Sequence, residues 1–275
     1  MVIETDMILI ITVNYNNSEL TIALSENIDK IFSCYDFFIV DNNSDEANKS
    51  LLKNIKNGTV IFNDSNIGYF QGINAVLDKI QPEHYDKVII CNNDILFDDN
   101  FYNILKSKKY DDNIYAVSPR IYDMDGEDQN PHLDKGISRI KILFYDLHYI
   151  NYYFGTFLYK FYQLIKKMMR KLIRKKKDSG FSRRIFMGYG AIFILTESFF
   201  IDNKSLSHPP FLMGEEAFIA YQIYKTGGIL FYDNDLVVFH KDHSSCSKIP
   251  SRKMYEITKE SYKEYRDFFL KLPRI

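Results

Sequence analysis

The sequence predicts an α/β protein that has a mostly parallel central sheet with helices on both of its faces. Short apolar runs alternate along the chain with longer stretches that have helical spacing. Such runs are typical of strands that are buried on both faces, as in parallel sheets. The chain has 275 residues and is 46% hydrophobic, which is enough to build a large buried core.

The first half of the chain contains the clearest alternation. Ser18 is predicted to open the first helix and Ser44 to cap the second, because hydroxyl side chains favour helix N-termini. The apolar runs and the helical periodicity give the other elements. The predicted strands are 8–13, 37–40, 59–62, 88–91 and 114–117, and the predicted helices are 18–33, 44–55 and 68–80.

The middle of the chain is less regular and contains a strongly basic segment. Residues 120–150 lack clean periodicity and contain many acidic residues, so we predict a loop or an insertion there. Residues 157–177 alternate pairs of apolar and of basic residues, which predicts a helix with one apolar and one cationic face. The net charge from Lys160 to Arg184 is +10, whereas the whole chain carries −1.

The last part of the chain returns to strands and helices. The pair Gly227-Gly228 follows a helical stretch and indicates where that helix ends. The elements predicted here are strands at 190–196, 229–232 and 236–239 and helices at 215–226 and 252–270.

Composition excludes several classes of protein. The three cysteines, Cys34, Cys91 and Cys246, are far apart and odd in number, so neither a disulfide framework nor a zinc site is expected. A reducing cytoplasm is the simplest compartment. The apolar stretch at 7–11 follows acidic residues and lacks the basic region of a signal peptide. No window approaches the roughly 20 apolar residues of a membrane-spanning helix.

Polar turns follow four successive predicted strands. They are the turns at 14–17, 41–44, 63–66 and 92–94, and all are rich in Asn and Asp. Turn chemistry alone favours these residue types. Ligands of parallel sheets, however, bind beyond the carboxyl ends of the strands. Four such turns at one edge therefore predict a trough for a polar ligand.

Asp94 and His240 are candidate metal ligands because each comes at the end of a predicted strand. Mg²⁺ and Mn²⁺ prefer oxygen ligands, and a neutral imidazole can complete such a site. The alternatives are a solvated turn or helix cap for Asp94 and a structural role for His240. We predict that Asp94, Glu216 and His240 converge on one hollow the size of a pyrophosphate.

Two further segments are typical of helix N-termini that carry function. Residues 66–74 join a strand to a helix, where backbone amides can meet a phosphate, but they match neither GxGxxG nor the P-loop pattern. Glu215 and Glu216 open the helix at 215–226, where the helix dipole is expected to keep a carboxylate ionised. The alternatives are close packing for the first segment and ordinary acidic enrichment for the second.

These segments, taken in order, resemble one known family. The resemblance is carried by Thr12-Val13-Asn14-Tyr15-Asn16, Val40-Asp41-Asn42-Asn43-Ser44, Asn66-Ile67-Gly68 with Gly72 and Asn74, Asn92-Asn93-Asp94, Gly188-Tyr189-Gly190-Ala191, Glu215-Glu216, and His240 with Ser244. The chain resembles inverting family 2 glycosyltransferases with the GT-A fold, especially the rhamnosyltransferase-like branch of bacterial surface polysaccharide synthesis. The resemblance covers about 1–120 and 185–245.

The resemblance implies a role for each matching residue. Asp41 would accept a hydrogen bond from a pyrimidine N–H, and Asp94 would bind a divalent metal, Mn²⁺ or Mg²⁺, with His240 as a further ligand. Glu216 would be the general base, with Glu215 as its competitor. Asn92 stands where many relatives have the first Asp of a DxD motif, which leaves the metal dependence open. Donor binding is assigned to Thr12, Asn14, Tyr15, Asp41, Asn43, Asn66, Gly68, Asn92, Asn93 and Asp94.

The resemblance also implies a domain organisation. Residues 1–120 would be the nucleotide-sugar-binding half, 121–185 a variable insertion with the basic amphipathic helix, 186–250 the acceptor and catalytic half, and 251–275 a C-terminal helix.

The implied reaction moves a sugar, with inversion, from a UDP- or dTDP-sugar to a hydroxyl of a glycan or polyprenyl-linked acceptor. Capsule, O-antigen or exopolysaccharide synthesis is the expected setting. The helix at 157–177 would contact the inner face of the plasma membrane from the cytoplasm, and packing against a bundle or another subunit is its alternative. We expect no nucleic-acid partner. Two other functions stay open: a sugar-nucleotide nucleotidyltransferase, and a non-catalytic, membrane-tethered partner with the same fold.

Overall fold

A computed structural model describes residues 7–170, 180–241 and 251–271 of the chain. Its strands are β1 (Ile8–Asn14), β2 (Tyr35–Asp41), β3 (Thr59–Phe62), β4 (Lys87–Asn92), β5 (Ile95–Phe97), β6 (Ile114–Asp123), β7 (Arg183–Arg184), β8 (Ile192–Thr196) and β9 (Ile229–His240). Its helices are α1 (Ser18–Ile31), α2 (Glu46–Leu52), α3 (Tyr69–Leu77), α4 (Phe101–Ser107), α5 (Arg139–His148), α6 (Tyr152–Arg170), α7 (Glu197–Asp202), α8 (Glu215–Lys225) and α9 (Ser251–Lys271).

The strands form one sheet in the order β3-β2-β1-β4-β8-β6-β9-β5, and β7 pairs with β9. Strands β1 to β4 pair in parallel, and β6 pairs in parallel with β9. Strand β8 is antiparallel to both β4 and β6, so β6 and β9 run in the same direction as the first four strands. The predicted mostly parallel sheet is therefore confirmed.

Side chains alternate between the two faces of the sheet, and helices cover both faces. Along β1, Ile8 and Ile10 belong to one buried cluster, which also contains residues of α1, α2 and α4. Leu9 and Ile11 belong to a second cluster, which contains residues of α3, α7 and α8. Full burial of one such side chain stabilises the fold by about 1.5–3 kcal/mol. The prediction of helices on both faces is thus confirmed.

A third, smaller core lies beside the sheet and joins α5, α8 and α9. It contains Ile142 of α5, Ala217 and Ala220 of α8, and Phe269 of α9. Helix α6 lies next to α5, where the His148 ring makes a hydrogen bond to the Gly155 carbonyl.

The structure corrects three predictions about individual elements. Helix α2 is capped by Asp45, whose carboxylate accepts from the Asn48 amide, and not by Ser44. The predicted loop at 120–150 is wrong in part, because β6 extends to Asp123 and α5 spans Arg139–His148. The two strands predicted at 229–232 and 236–239 are one strand, β9, with an irregular register where it pairs with β6.

The proposed domain boundaries stay a prediction. The boundary at 120/121 falls inside β6, which is a strand of the central sheet. Within the predicted basic helix at 157–177, α6 accounts for residues up to Arg170, and 171–177 lie outside the described residues.

Candidate functional site

Asp94 and His240 are brought together by the pairing of β5 with β9. Ile95 pairs with His240, and the Lys241 amide donates to the Asp94 carbonyl at 2.9 Å. This pairing places Asp94 Oδ1 3.2 Å from His240 Nε2. Both residues are buried, with 5% and 3% of their surface exposed. Residues separated by most of the chain thus form one buried pair at the end of the sheet.

The facing atoms of this pair, a carboxylate oxygen and an imidazole nitrogen, are suitable ligands for a divalent cation. Gln129 Oε1 lies 2.9 Å from His240 Nδ1, so Nδ1 carries the proton and Nε2 presents a lone pair. Neither Nε2 nor Asp94 Oδ1 has a hydrogen-bond partner within the described chain, although both atoms are buried. With Nε2 deprotonated, this nitrogen and the carboxylate oxygen 3.2 Å from it fit a shared cation. Among the described residues, no cluster of three or more His, Cys, Asp or Glu side chains could hold a metal ion. Ligands other than a third such side chain from the described residues would therefore have to complete the coordination of a cation at this pair.

Glu216 of α8 contacts the loop that precedes β8, and the same loop contacts His240. A Cβ atom at Gly190 would lie 2.6 Å from Glu216 Oε1, so the absence of a side chain at 190 leaves room for this carboxylate. The neighbouring residue, Tyr189, packs its ring edge-on against His240, with 5.8 Å between the ring centroids. One short loop therefore contacts both the predicted base and a predicted metal ligand.

The electrostatics of Tyr69, at the start of α3, give a second sign that the carboxylates lie close together. The pKa of Tyr69 is raised well above its ordinary value, first by burial and then by electrostatic interaction with Cys91, Glu215, Asp94 and Glu216. The Tyr69 hydroxyl therefore lies within electrostatic range of carboxylates from the β4–β5 turn and from α8. The structure thus brings Asp94, Glu216 and His240 to one region.

The two neighbouring glutamates differ in their environment. Glu215 is buried, and its burial and the adjacent Glu216 charge raise its pKa to about 8, against the hydrogen bond that its Oε1 accepts from the Met213 amide at 3.0 Å. The expectation that the helix N-terminus keeps this carboxylate ionised is wrong for Glu215, because the cost of burial outweighs the dipole. Glu216 is less buried, and no described group hydrogen-bonds its carboxylate.

Three residues predicted to bind the donor lie inside the protein with their polar atoms engaged. Thr12 donates to the Cys91 carbonyl at 2.9 Å. The Asn14 amide donates to Asp41 Oδ1 at 2.8 Å, and Asp41 Oδ2 accepts from the Ser44 amide at 2.9 Å. None of these three side chains is exposed. In this structure they hold the turns after β1 and β2 together, and base binding by Asp41 stays a prediction.

Asn42 ties the second turn to the third and was not among the predicted site residues. Its amide donates to the Gly68 carbonyl at 2.8 Å, and its Oδ1 accepts from Asn63 at 2.9 Å. Asn66 Oδ1 accepts from the Gly68 amide at 3.1 Å. Gly68 has a positive φ of 99°, and a Cβ there would lie 2.1 Å from the Phe211 carbonyl oxygen. The segment before Glu215 therefore touches the start of α3.

Some of the remaining residues that were predicted to bind the sugar donor lie at the surface, and others lie in the interior. Tyr15 and Asn43 are exposed, and Asn43 accepts from Lys49 at 3.2 Å. Asn93 points back toward α1, where its amide donates to Thr21 Oγ1 at 2.9 Å. Asn92 is half-buried, and its backbone amide donates to the Ala191 carbonyl at 2.8 Å. Donor binding by each of them stays a prediction.

Gln129 is a functional candidate that the sequence did not indicate. It lies in a segment without periodicity, and its contact with His240 depends on the pairing of β6 with β9. The neighbouring Asn130 supports the same loop, because its Oδ1 accepts from the Tyr189 amide at 3.0 Å.

Several solved structures share the architecture of this chain. GalNAc-T7, crystallised with UDP, GalNAc and Mn²⁺, aligns with a TM-score of 0.57 and 16% identity over 98% of this chain and 52% of its own. S. aureus TarS 1–349 in complex with UDP-GlcNAc aligns with a TM-score of 0.56 and 10% identity over 91% and 64%. The mannosyltransferase PcManGT from Pyrobaculum calidifontis, in complex with GDP-Man and Mn²⁺, aligns with a TM-score of 0.54 and 12% identity over 96% and 73%.

These similarities show the fold of the chain. No family model and no curated protein matches it. The chain spans about half the length of GalNAc-T7 and less than two thirds of the aligned TarS chain. The architecture that the sequence predicted, the GT-A fold, is confirmed by structures that share little sequence with it.

Proposed function

We propose that this protein is a glycosyltransferase that moves a sugar from a nucleoside diphosphate to an acceptor hydroxyl with inversion. The observation that carries the proposal is the convergence of Asp94, His240 and Glu216 at the carboxyl edge of a GT-A sheet. Ligands of such sheets bind at this edge. The three aligned proteins were crystallised with UDP and GalNAc, with UDP-GlcNAc and with GDP-Man, which supports a nucleotide-sugar donor.

Glu216 is the general base of the proposed reaction. Its carboxylate is not hydrogen-bonded by any described group, and it lies against Gly190 beside the Asp94–His240 pair. The acceptor oxygen forms a bond to the anomeric carbon, its proton passes to Glu216, and the bond from that carbon to the diphosphate oxygen breaks. A single displacement of this kind inverts the anomeric centre. One enzyme carboxylate suffices for it, whereas glycosidases commonly need two.

Asp94 and His240 are the residues that would hold Mn²⁺ or Mg²⁺. Their facing buried lone pairs fit a divalent cation, and GalNAc-T7 and PcManGT were crystallised with Mn²⁺. When bound, such an ion offsets the negative charge that develops on the leaving diphosphate. Gln129 fixes the His240 ring so that Nε2 faces Asp94.

Replacing Glu216 by Gln tests the proposed reaction. We expect turnover of the nucleotide sugar to fall by about 100-fold to 10,000-fold, because the base is lost, while donor affinity changes little. Glu197→Gln is a control, since Glu197 also lies in the first turn of a helix, α7, and is exposed. Full turnover by the Glu216→Gln variant would instead favour a non-catalytic partner with this fold.

Replacing Asp94 by Asn tests the proposed metal site without an activity assay. In the wild type, we expect Mn²⁺ with UDP, dTDP or GDP to raise the melting temperature, since a ligand at about 100 times its Kd adds about 2.7 kcal/mol. Asp94→Asn should lose the part of this rise that depends on Mn²⁺, and the exposed Asp99→Asn control should keep it. A full Mn²⁺-dependent rise in Asp94→Asn would contradict the assignment.

The surface of α5 and α6 supports contact with an anionic membrane as part of this function. None of the helices in the described residues is both long and apolar enough to cross a bilayer. Large apolar side chains are nevertheless exposed along both helices and the short link between them. They are Ile140, Leu143, Leu147, Ile150, Tyr153, Phe154, Phe157, Tyr159, Phe161, Tyr162, Leu164, Ile165 and Met168. An exposed patch of this kind marks an interaction surface.

Charge favours a membrane over another protein as the occupant of this surface. The segment from Lys160 to Arg184 has a net charge of +10 and begins within α6. Each basic residue near an anionic bilayer contributes roughly 1 kcal/mol of attraction. The surface suits an acceptor carried on a polyprenyl lipid, as in the synthesis of capsule, O-antigen or exopolysaccharide by the rhamnosyltransferase-like branch.

A sugar-nucleotide nucleotidyltransferase is the weaker alternative. Such an enzyme needs a glycine-rich, basic loop after the first strand, and the turn after β1 is Tyr15-Asn16-Asn17. That turn contains neither glycine nor a basic residue. Its residues bond to the second turn instead, because the Asn16 amide donates to Ser44 Oγ at 2.8 Å.

A further inference from the structure

The hydroxyl of Tyr69 is a buried polar group without a partner. Within the described residues, four buried side-chain polar atoms have no hydrogen-bond partner, and two of them are the metal-site atoms of Asp94 and His240. The four are Tyr69 Oη, Gln71 Oε1, Asp94 Oδ1 and His240 Nε2. An unpaired buried hydroxyl destabilises a fold, so such groups need an explanation. All four lie near the proposed reaction centre or on the first turn of α3.

Tyr69 occupies the first position of α3, directly after the turn that approaches Phe211. Its ring packs against Phe70 and the sheet face that α3 covers. The hydroxyl end lies within the electrostatic influence of Asp94, Glu215 and Glu216. These three carboxylates lie within electrostatic range, yet Tyr69 Oη donates a hydrogen bond to none of them.

The hydroxyl suits an anionic ligand better than the neighbouring Gln71 does. Gln71 uses its amide nitrogen on the Pro209 carbonyl at 2.8 Å, which leaves only an acceptor oxygen unpaired. An oxygen acceptor repels a phosphate. The raised pKa of Tyr69 keeps its proton on, so the phenol offers an O–H donor at neutral pH.

We propose that the Tyr69 hydroxyl donates a hydrogen bond to a phosphate oxygen of the nucleoside diphosphate and thereby positions the donor next to Asp94. This inference rests on the proposed function and adds to it a residue that positions the leaving group. The Tyr69 hydroxyl has no partner within the described protein, and it gains one when the diphosphate binds. Hydrogen bonds to charged acceptors are the stronger class, so its loss is expected to be measurable.

Tyr69→Phe tests the inference by removing one oxygen atom and little else. Binding of UDP, dTDP and GDP, each with Mn²⁺, is measured by calorimetry for the wild type and the variant. We expect the Kd of the tightest of these ligands to rise roughly tenfold or more. The melting temperature of the ligand-free variant should stay the same or rise, because the removed hydroxyl has no partner.

Tyr110→Phe is a matched control with the opposite expectation. The Tyr110 hydroxyl donates to Asp233 Oδ2 at 2.8 Å, and Asp233 is not one of the proposed site residues. Its removal should lower the melting temperature and leave the Kd of the nucleoside diphosphate unchanged.

The outcomes separate this inference from the proposed function. If the wild type binds none of the three nucleoside diphosphates, the proposed function fails and the inference fails with it. If the wild type binds one of them and Tyr69→Phe binds it equally well, the inference alone is overturned. A lower melting temperature together with unchanged affinity would assign Tyr69 a structural role.

Discussion

Glu215 and Glu216 are adjacent in sequence, but their surroundings give them different chemistry. The pKa of Glu215 is raised to about 8 by burial and by the charge of Glu216, so Glu215 is mostly protonated at neutral pH. It accepts from the Met213 amide and thereby stabilises the start of α8. Glu216 lies against Gly190 and is less buried than Glu215. Burial therefore gives Glu215 a structural role and distinguishes it from Glu216, the proposed base.

The raised pKa of Glu215 makes the stability of the fold depend on pH. Because the folded-state pKa of about 8 exceeds the ordinary value of 4.5, its contribution is fully present below pH 4.5 and is lost as pH rises through about 8. Glu215→Gln keeps an acceptor oxygen for Met213 but cannot ionise. Near pH 8.5 we expect this variant to be more stable than the wild type by on the order of 2 kcal/mol.

Urea unfolding of both proteins between about pH 5 and pH 8.5 measures this difference. The advantage of the variant should shrink toward pH 5, where the wild-type side chain is also neutral. Equal pH profiles for the two proteins would show that Glu215 ionises normally in the folded state.

Candidate site residues could be predicted where a metal-binding or acid–base side chain lies at the end of a strand or the start of a helix. Asp94 follows β4, His240 ends β9 and Glu216 lies in the first turn of α8, so an approach at one edge is expected from the rules of parallel sheets. Asn42 was missed because nothing in the sequence tells which Asn of a polar turn faces inward. Gln129 was missed because its contact with His240 depends on long-range pairing of strands.

At the scale of elements, α9 connects the α5–α6 surface to the loop before Glu215. Ser261 donates to the Leu212 carbonyl at 2.7 Å, and the pKa of Tyr265 is raised by burial, by nearby tyrosines and by the charge of Glu216. On its other side, Tyr255 donates to the His148 carbonyl at 2.8 Å, at the end of α5. Helix α9 thus contacts both the proposed membrane surface and the loop before Glu215.

The ion pair between Asp146 of α5 and Arg266 of α9 gives a test of this connection. Arg266 Nε and Nη2 donate to the two Asp146 oxygens at 2.6 and 2.8 Å. Since Arg266 is partly exposed, solvent screening limits the pair, and we expect a coupling free energy of about 0.5–1 kcal/mol. A double-mutant cycle of Asp146→Asn and Arg266→Gln, followed by urea unfolding at neutral pH, measures it.

The coupling should also depend on pH. The Arg266 hydrogen bond lowers the pKa of Asp146 below its ordinary value of 3.8. The stabilisation is therefore present above pH 3.8 and is lost as pH falls through the lowered folded-state pKa. A coupling free energy near zero at neutral pH would indicate that other contacts join α5 to α9.

The elements that could be predicted are those that show a clear hydrophobic pattern within their own short segment of sequence. Apolar runs predict β1 to β4 and the helices between them, and β1 and β4 are indeed buried on both faces. Helix α5 was missed because much of its apolar surface is exposed and no full hydrophobic stripe faces a core. Strand β9 was divided in two because polar residues interrupt it where its register with β6 shifts.

At the scale of the whole molecule, the site depends on how one sheet joins the two halves of the chain. Strand β8 enters between β4 and β6, which brings the Tyr189–Gly190 loop beside Asn92. Strand β9 returns to pair with β5 and so places His240 beside Asp94. Local periodicity does not specify such pairings. Their geometry could be expected only from the resemblance to a known family.

The exposed apolar surface of α5 and α6 also makes this protein convenient for optical spectroscopy. The chain contains no Trp, so a Trp introduced at the exposed Phe161 would be its single indole fluorophore. With vesicles rich in phosphatidylglycerol, we expect its emission to shift to shorter wavelength as the indole leaves water, and lipid-borne quenchers should dim it. With neutral phosphatidylcholine vesicles, the shift should be weaker, because the attraction of the basic segment is missing. A blue shift that grows with protein concentration in the absence of lipid would instead show that a second copy of the chain binds the α5–α6 surface.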